Sequence, residues 1–242
     1  MRIEQQPGFV LHAREWRETS LLLEVFSRDH GRVGLVARGV RAARSRTPRA
    51  LLQPLTPLLL SWTGRGELAT LTAVEPAAVP LKTTGEALLC ALYLNELLTR
   101  MLTRHDPHSN LFSDYVTTLA RLAHGEPTAW TLRRFERDLL MHMGYGLQLE
   151  SEGENGARLD PACTYAWRFD SGSIPWRDHA DGLQVPGSAL LALARDEQPE
   201  AADLVALRRL LRAVIAHHLD GAGLRAWSML ASNQMSAGND AS

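Results

Sequence analysis

Apolar residues follow one period in the first third of the chain and another in the rest. Residues 8–14, 19–26 and 32–38 are strand-length stretches. The third alternates, with Val33, Leu35 and Ala37 facing one way and Arg32, Gly34, Val36 and Arg38 the other. A turn over 27–31 joins the second stretch to the third. Residues 53–62 form a longer strand-like run in which Pro54 and Pro57 predict an edge, a bulge or a late start. Residues 63–66 read as a hairpin turn, and alternation resumes over 67–74. Five short strands in this span predict a small barrel.

After Pro80 the spacing becomes helical. Residues 86–103 place Leu89, Leu92, Tyr93, Leu97 and Leu102 at intervals of three and four. Residues 109–124 repeat the pattern through Leu111, Phe112, Tyr115 and Leu119, and Gly125 stops it. A third helix starts at Thr128 or Thr131, runs through Phe135, Leu139 and Leu140, and ends at Gly144. Residues 150–156 are polar, and the stretch to Gly182 reads as irregular. Residues 188–195 and 201–219 are further helices, and 232–242 is expected to be disordered. The expectation is an α+β chain: a β-barrel over 1–80, then a mainly α-helical domain over 81–231 with an irregular insertion near 150–187.

Composition narrows the class. Of 242 residues, 45% are hydrophobic and 22% charged, ordinary for a folded globular chain. The longest apolar run, 87–94, is far short of a membrane span, and the first eight residues lack the order of a signal peptide. With Cys90 and Cys163 as the only cysteines, a disulfide scaffold is not expected, and the cytoplasm is the expected compartment.

The net charge of −1 hides a split. Residues 1–80 sum to +4, 81–150 to −1 and 151–242 to −4. Between His30 and Gly66 lie seven arginines (Arg32, Arg38, Arg41, Arg44, Arg46, Arg49 and Arg65) and no acid, a local positive field that the total conceals.

No sequence signature of catalysis is present. Phosphate-loop, nucleophile-elbow and zinc-protease motifs are all missing. His105 and His108 sit in an interhelical connection without an obvious third ligand, and His217 and His218 suit the end of a helix. Cys90 reads as a core residue. No enzyme, no metal and no cofactor are expected.

The arginine loop is the stronger signal. Spaced guanidinium groups each neutralise a phosphate, and release of counterions makes such binding salt-dependent. Arg32, Arg38, Arg41, Arg44, Arg46 and Arg49 are the candidate DNA contacts. Phe9, Trp16, Phe26 and Trp62 are candidate stacking partners for bases; Phe9 and Phe26 read more readily as core, and Trp62 reads either way. A second cluster, Leu132, Arg133, Arg134 and Arg137 beside Phe135, which Arg121 could join, suits a short acidic peptide with an apolar end. The alternative pairs these arginines with Glu136 and Asp138 on the surface.

Several ordered segments carry a resemblance: Gly8-Phe-Val-Leu-His12, Glu18-Thr-Ser-Leu-Leu-Leu23, His30-Gly-Arg-Val33, Leu52-Gln-Pro-Leu-Thr-Pro57, Tyr93-Leu-Asn-Glu96, Leu132-Arg-Arg-Phe-Glu136 and Gly144-Tyr-Gly146. Together they resemble the RecO family of bacterial recombination mediators. The resemblance implies an N-terminal OB-fold and a helical C-terminal domain. It also implies binding of single- and double-stranded DNA, annealing of complementary strands, and loading of RecA with RecR onto coated DNA. The acidic C-terminal tail of single-strand-binding protein would contact the helical region, which makes Arg121 and Arg133, Arg134 and Arg137 its candidates. The four-cysteine zinc motif of many relatives is reduced to Cys163, and 224–231 is followed by a neutral-to-acidic tail instead of a basic one. The alternative function is a non-catalytic adaptor whose basic barrel binds an acidic protein.

Overall fold

The barrel opens with an unusually long strand. In the computed structural model, which describes residues 2–42, 48–64, 66–177 and 182–230, β1 (Arg2–Trp16) is followed by β2 (Ser20–Ser27), β3 (Gly31–Ala37), β4 (Pro57–Thr63) and β5 (Ala69–Pro76). They close in the order β1-β2-β3-β5-β4. Pairing is antiparallel except between β3 and β5, which run parallel at Leu35–Ala69 and Val36–Thr70. Closure leaves no open sheet edge. β1 reaches both β2 and β4 because its register shifts twice, between Ile3 and Gln6 and between Val10 and His12, and each bulge adds bend. Inside sit Val10, Leu23, Val25, Leu35, Leu58 and Leu60, all fully buried. Each contributes roughly 1.5–3 kcal/mol. The run over 53–62 starts late as a strand, at Pro57, where the missing N–H costs least.

α1 (Gly85–Met101) and α2 (Ser109–Ala123) follow. The tertiary contacts divide the chain after Glu126 rather than after Pro80. One compact unit is Met1–Glu126 with Leu224–Ser242, and the other is Pro127–Gly223. The first two helices join the barrel because the barrel offers them aromatic surface. Phe9 and Phe26 meet Phe112 and Tyr115 of α2 with ring centroids 5.2–6.1 Å apart, tilted or edge-on. Such pairs contribute about 0.5–1.5 kcal/mol beyond their buried area.

Polar groups fix the same seam. Asn95 of α1 donates to the carbonyl of Leu11, the residue left out of the β1 ladder by its bulge, at 3.3 Å. It also accepts the Tyr115 hydroxyl at 2.6 Å. Burial pushes that phenol well above its ordinary pKa, so it stays a donor. Arg104, after α1, bonds Glu24 on β2 and Glu67 beyond the β4–β5 turn. Gly31 has no alternative: at φ +63° a Cβ there would lie 1.9 Å from the Asp106 carbonyl oxygen. Residues 225–230 return to α1, where Glu96 accepts the backbone N–H groups of Arg225 and Ala226, both at 2.8 Å.

The second unit holds α3 (Thr128–His142), β6 (Thr164–Arg168), β7 (Gly172–Pro175), β8 (Leu183–Pro186), α4 (Gly187–Ala194) and α5 (Ala201–His218). The stretch read as irregular therefore contains an antiparallel sheet in the order β7-β6-β8. Its strands are four or five residues long, too short to show alternation, and β6 buries Tyr165, Ala166 and Trp167 consecutively. Residues 232–242 lie outside the described residues.

Candidate nucleic-acid interface

The barrel arginines separate into two groups. Arg32 points back into the first unit: its side chain donates to the Thr99 carbonyl at the end of α1 and lies 4.0 Å from Glu24. Its expected role as an outward phosphate contact is corrected accordingly, because the fold already uses its charge. Arg38, just after β3, is exposed and has no ion-pair partner among the described residues. Arg41 is held by its backbone N–H to Thr19 and by an ion pair to Glu15 at 3.0 Å. Arg49 is exposed and stands 3.8 Å from the same carboxylate. Arg44, Arg46 and Arg65 lie outside the described residues. The window is acid-free in sequence but not in space, since Glu15, at the far end of β1, faces it.

Trp62 is corrected from stacking candidate to core. It is 5% exposed, belongs to the barrel interior and meets His30 edge-on at 5.4 Å. Phe9 and Phe26 are core as the first of their two readings expected. Trp16 remains half-buried, with the Arg14 guanidinium 5.8 Å above its ring. Trp16 and Arg14 are therefore the aromatic and cationic groups left beside Glu15 and Arg41. Alternation along the end of β1, with His12, Arg14 and Trp16 on one side, was the signal that would have found Arg14.

The α3 cluster is mostly committed inside its own unit. Arg133 is 4% exposed and bonds Glu136, itself fully buried, at 2.5 Å. Leu132 is buried as well. Both are corrected as candidate surface contacts. Arg134 makes a two-pronged bond to Asp196, at 2.8 and 2.5 Å. Arg137 bonds Asp138, the Leu193 carbonyl that ends α4, and Asp196. Ion pairs with Glu136 and Asp138 are present, but the Glu136 pair is buried instead of on the surface, and Asp196 takes Arg134 and shares Arg137. An open groove of about 720 Å³ runs beside Arg137, with Met141, Leu147 and Arg195 on its walls. Arg121 belongs to the first unit and lies 3.9 Å from Glu126.

The histidines make no metal centre among the described residues. His108 lies 3.2 Å from Asp106, and His105 contacts the Gly66 carbonyl. At the end of α5, His217 stacks on Phe169 and His218 on Tyr145, with centroids 4.4 and 3.7 Å apart. Burial, then the neighbouring His217, lowers the pKa of His218. No helix among the described residues is long and apolar enough to cross a membrane.

Comparison with known proteins completes the picture. Residues 1–79 match the family model described as Recombination protein O N terminal, and residues 82–228 match Recombination protein O C terminal. The chain is 48% identical over 233 residues to the DNA repair protein RecO of Stenotrophomonas maltophilia (strain K279a), covering 95% of this chain and 97% of that one. It is 47% identical over 232 residues to the DNA repair protein RecO of Nitrosococcus oceani, covering 95% and 94%. The DNA repair protein RecO of Methylococcus capsulatus is 44% identical over 232 residues, covering 96% and 95%.

Proposed function

The chain belongs to the RecO family of DNA repair proteins, and we propose that it is a non-catalytic recombination mediator. It binds single- and double-stranded DNA, anneals complementary strands and helps load RecA onto DNA coated by single-strand-binding protein. RecR and the acidic tail of single-strand-binding protein are its protein partners, and the cytoplasm, at the nucleoid, is its compartment. The observation that carries the DNA-binding reading is the exposed cationic edge of Arg38, Arg41 and Arg49, which among the described residues only Glu15 balances. Phosphate oxygens compete with Glu15 for the same guanidinium groups, and Arg44 and Arg46 extend the field. Annealing then needs no covalent step. A cationic surface that lowers repulsion between two strands without locking either is sufficient.

For the acidic tail, the groove beside Arg137 supports a site near Arg134, with Met141 and Leu147 as apolar contacts. The domain division at 80–81 serves the same reading, with DNA on the barrel and proteins on the helical part.

Fluorescence anisotropy with a labelled thymidine oligonucleotide, titrated across salt concentrations, tests the proposal. The chain should bind more weakly as salt rises, and replacing Arg41, Arg44, Arg46 and Arg49 with alanine should cut both affinity and the salt slope. An unchanged slope overturns the assignment to this loop. The Glu15 contact itself favours a second reading, an adaptor whose barrel takes carboxylates from a protein. Failure to bind oligonucleotide at moderate salt selects that one.

A further inference from the structure

We propose that a groove in the first compact unit, which borders the arginine segment at Arg49, docks an acidic segment of a partner protein that carries aliphatic side chains. The groove runs between β1, the turn Arg49–Leu52 and α1, and has a volume of about 720 Å³. Specific ligand pockets span roughly 300–1,000 Å³. Its floor is aliphatic: Leu11, Leu21 and Leu52 lie beneath, and Leu92 of α1 stands 37% exposed along one wall.

The rim is cationic and comes from four parts of the chain: Arg14 on β1, Arg49 at the turn, Arg100 on α1 and Arg225 in the returning segment. Two carboxylates also line the groove, yet both are engaged. Glu15 faces Arg41 and Arg49. Glu96 accepts two backbone N–H groups at 225 and 226. Arg14, Arg100 and Arg225 are left without a carboxylate partner among the described residues. Three uncompensated guanidinium groups around an apolar floor are complementary to carboxylates that flank aliphatic side chains.

The lining argues for protein over nucleic acid. Among the described residues no Phe, Tyr or Trp lines the groove, so unpaired bases find no ring there to stack on. The walls are also built in advance. Asn95, which lines the groove, ties α1 to the bulge at Leu11 and to Tyr115, so little ordering remains to be done on binding. This inference stands whether or not the barrel binds DNA.

The test uses the full chain and a short fluorescein-labelled peptide of alternating aspartate and leucine, followed by anisotropy. Saturable binding is expected. The triple variant Arg14→Gln, Arg100→Gln, Arg225→Gln should weaken it about tenfold, and Leu92→Asp should weaken it by a comparable factor. Both variants should keep the wild-type melting temperature, and Leu92→Asp should bind thymidine oligonucleotide within about twofold of wild type. Absence of saturable peptide binding overturns the proposal. So does equal binding by the triple variant, or by a peptide with asparagine in place of aspartate. Displacement of the peptide by oligonucleotide, with both lost in the triple variant, assigns the groove to nucleic acid instead.

Discussion

Arginines crowd two places, the segment from Arg38 to Arg49 and the helix α3, where Arg133, Arg134 and Arg137 lie close together. In α3 the fold supplies its own anions. Glu136 meets Arg133 in the interior, and Asp196 collects both Arg134 and Arg137 from sixty residues away. After β3 a single exposed carboxylate, Glu15, faces Arg41 and Arg49, and Arg38 has none among the described residues. A run of cations therefore predicts an external field only where distant parts of the chain do not neutralise it. One cluster holds the molecule together; the other faces outward.

That contrast can be broken from either side. The largest effect should come from Arg133→Ala, which removes the guanidinium 2.5 Å from the buried Glu136 carboxylate. It should destabilise the second unit by about 3–5 kcal/mol in urea unfolding, and a loss under 1 kcal/mol would show that the pair is not structural. Next, the fourfold alanine replacement of Arg41, Arg44, Arg46 and Arg49 should lower oligonucleotide affinity roughly 10–100-fold while shifting stability by no more than about 0.5 kcal/mol. Equal damage to folding would merge the two clusters in kind. Asp196→Asn should then convert one cluster toward the other. Loosening Arg134, and Arg137, which keeps Asp138 and the Leu193 carbonyl, should cost about 1 kcal/mol and raise affinity for an acidic tail peptide severalfold by calorimetry.

Glu15→Gln works in the opposite sense on the barrel. With the competing carboxylate gone, oligonucleotide affinity at low salt should rise about two- to fivefold. The smallest effect is at His218. Burial and His217 lower its pKa from the ordinary 6.5, so the unfolded chain takes up a proton first on acidification. The stabilisation is complete above about pH 6.5 and declines below it. Melting curves of wild type and His218→Gln should differ most at neutral pH and converge as the pH falls. Asp170, in the same cavity, is the carboxylate closest in kind to offset that protonation.

Much of the fold was legible because periodicity is local. The five helices and four of the five barrel strands stand within about four residues of their expected bounds, β1 begins six residues before its expected start, and the late start at Pro57 is one of the three readings that the prolines left open. The sheet β7-β6-β8 was not legible, since strands of four or five residues bounded by Gly and Pro carry no usable period. The site divided along the same line. Exposure of Arg38 and Arg49 could be anticipated from the polar segment around them. The diversion of Arg32 to Thr99, the burial of Trp62 and the capture of Arg134 by Asp196 all depend on residues 30–90 positions apart, and no spacing rule reports such meetings. The membership of α1 and α2 in the barrel's unit is a further case, decided by Phe9 and Phe26 facing outward to α2 instead of inward.

The first unit is interrupted in sequence, resuming at Leu224 after nearly a hundred residues that belong elsewhere. Translation delivers a chain from its N-terminus, so the barrel, α1 and α2 emerge first and wait for their last piece. Until residues 225 and 226 leave the ribosome, the Glu96 carboxylate lacks the two backbone donors that it holds in the finished protein. The wall of the groove that carries Arg225 is accordingly the last to be added. A release halted before Leu224 would yield a molecule with its arginine loop in place and its groove still unfinished.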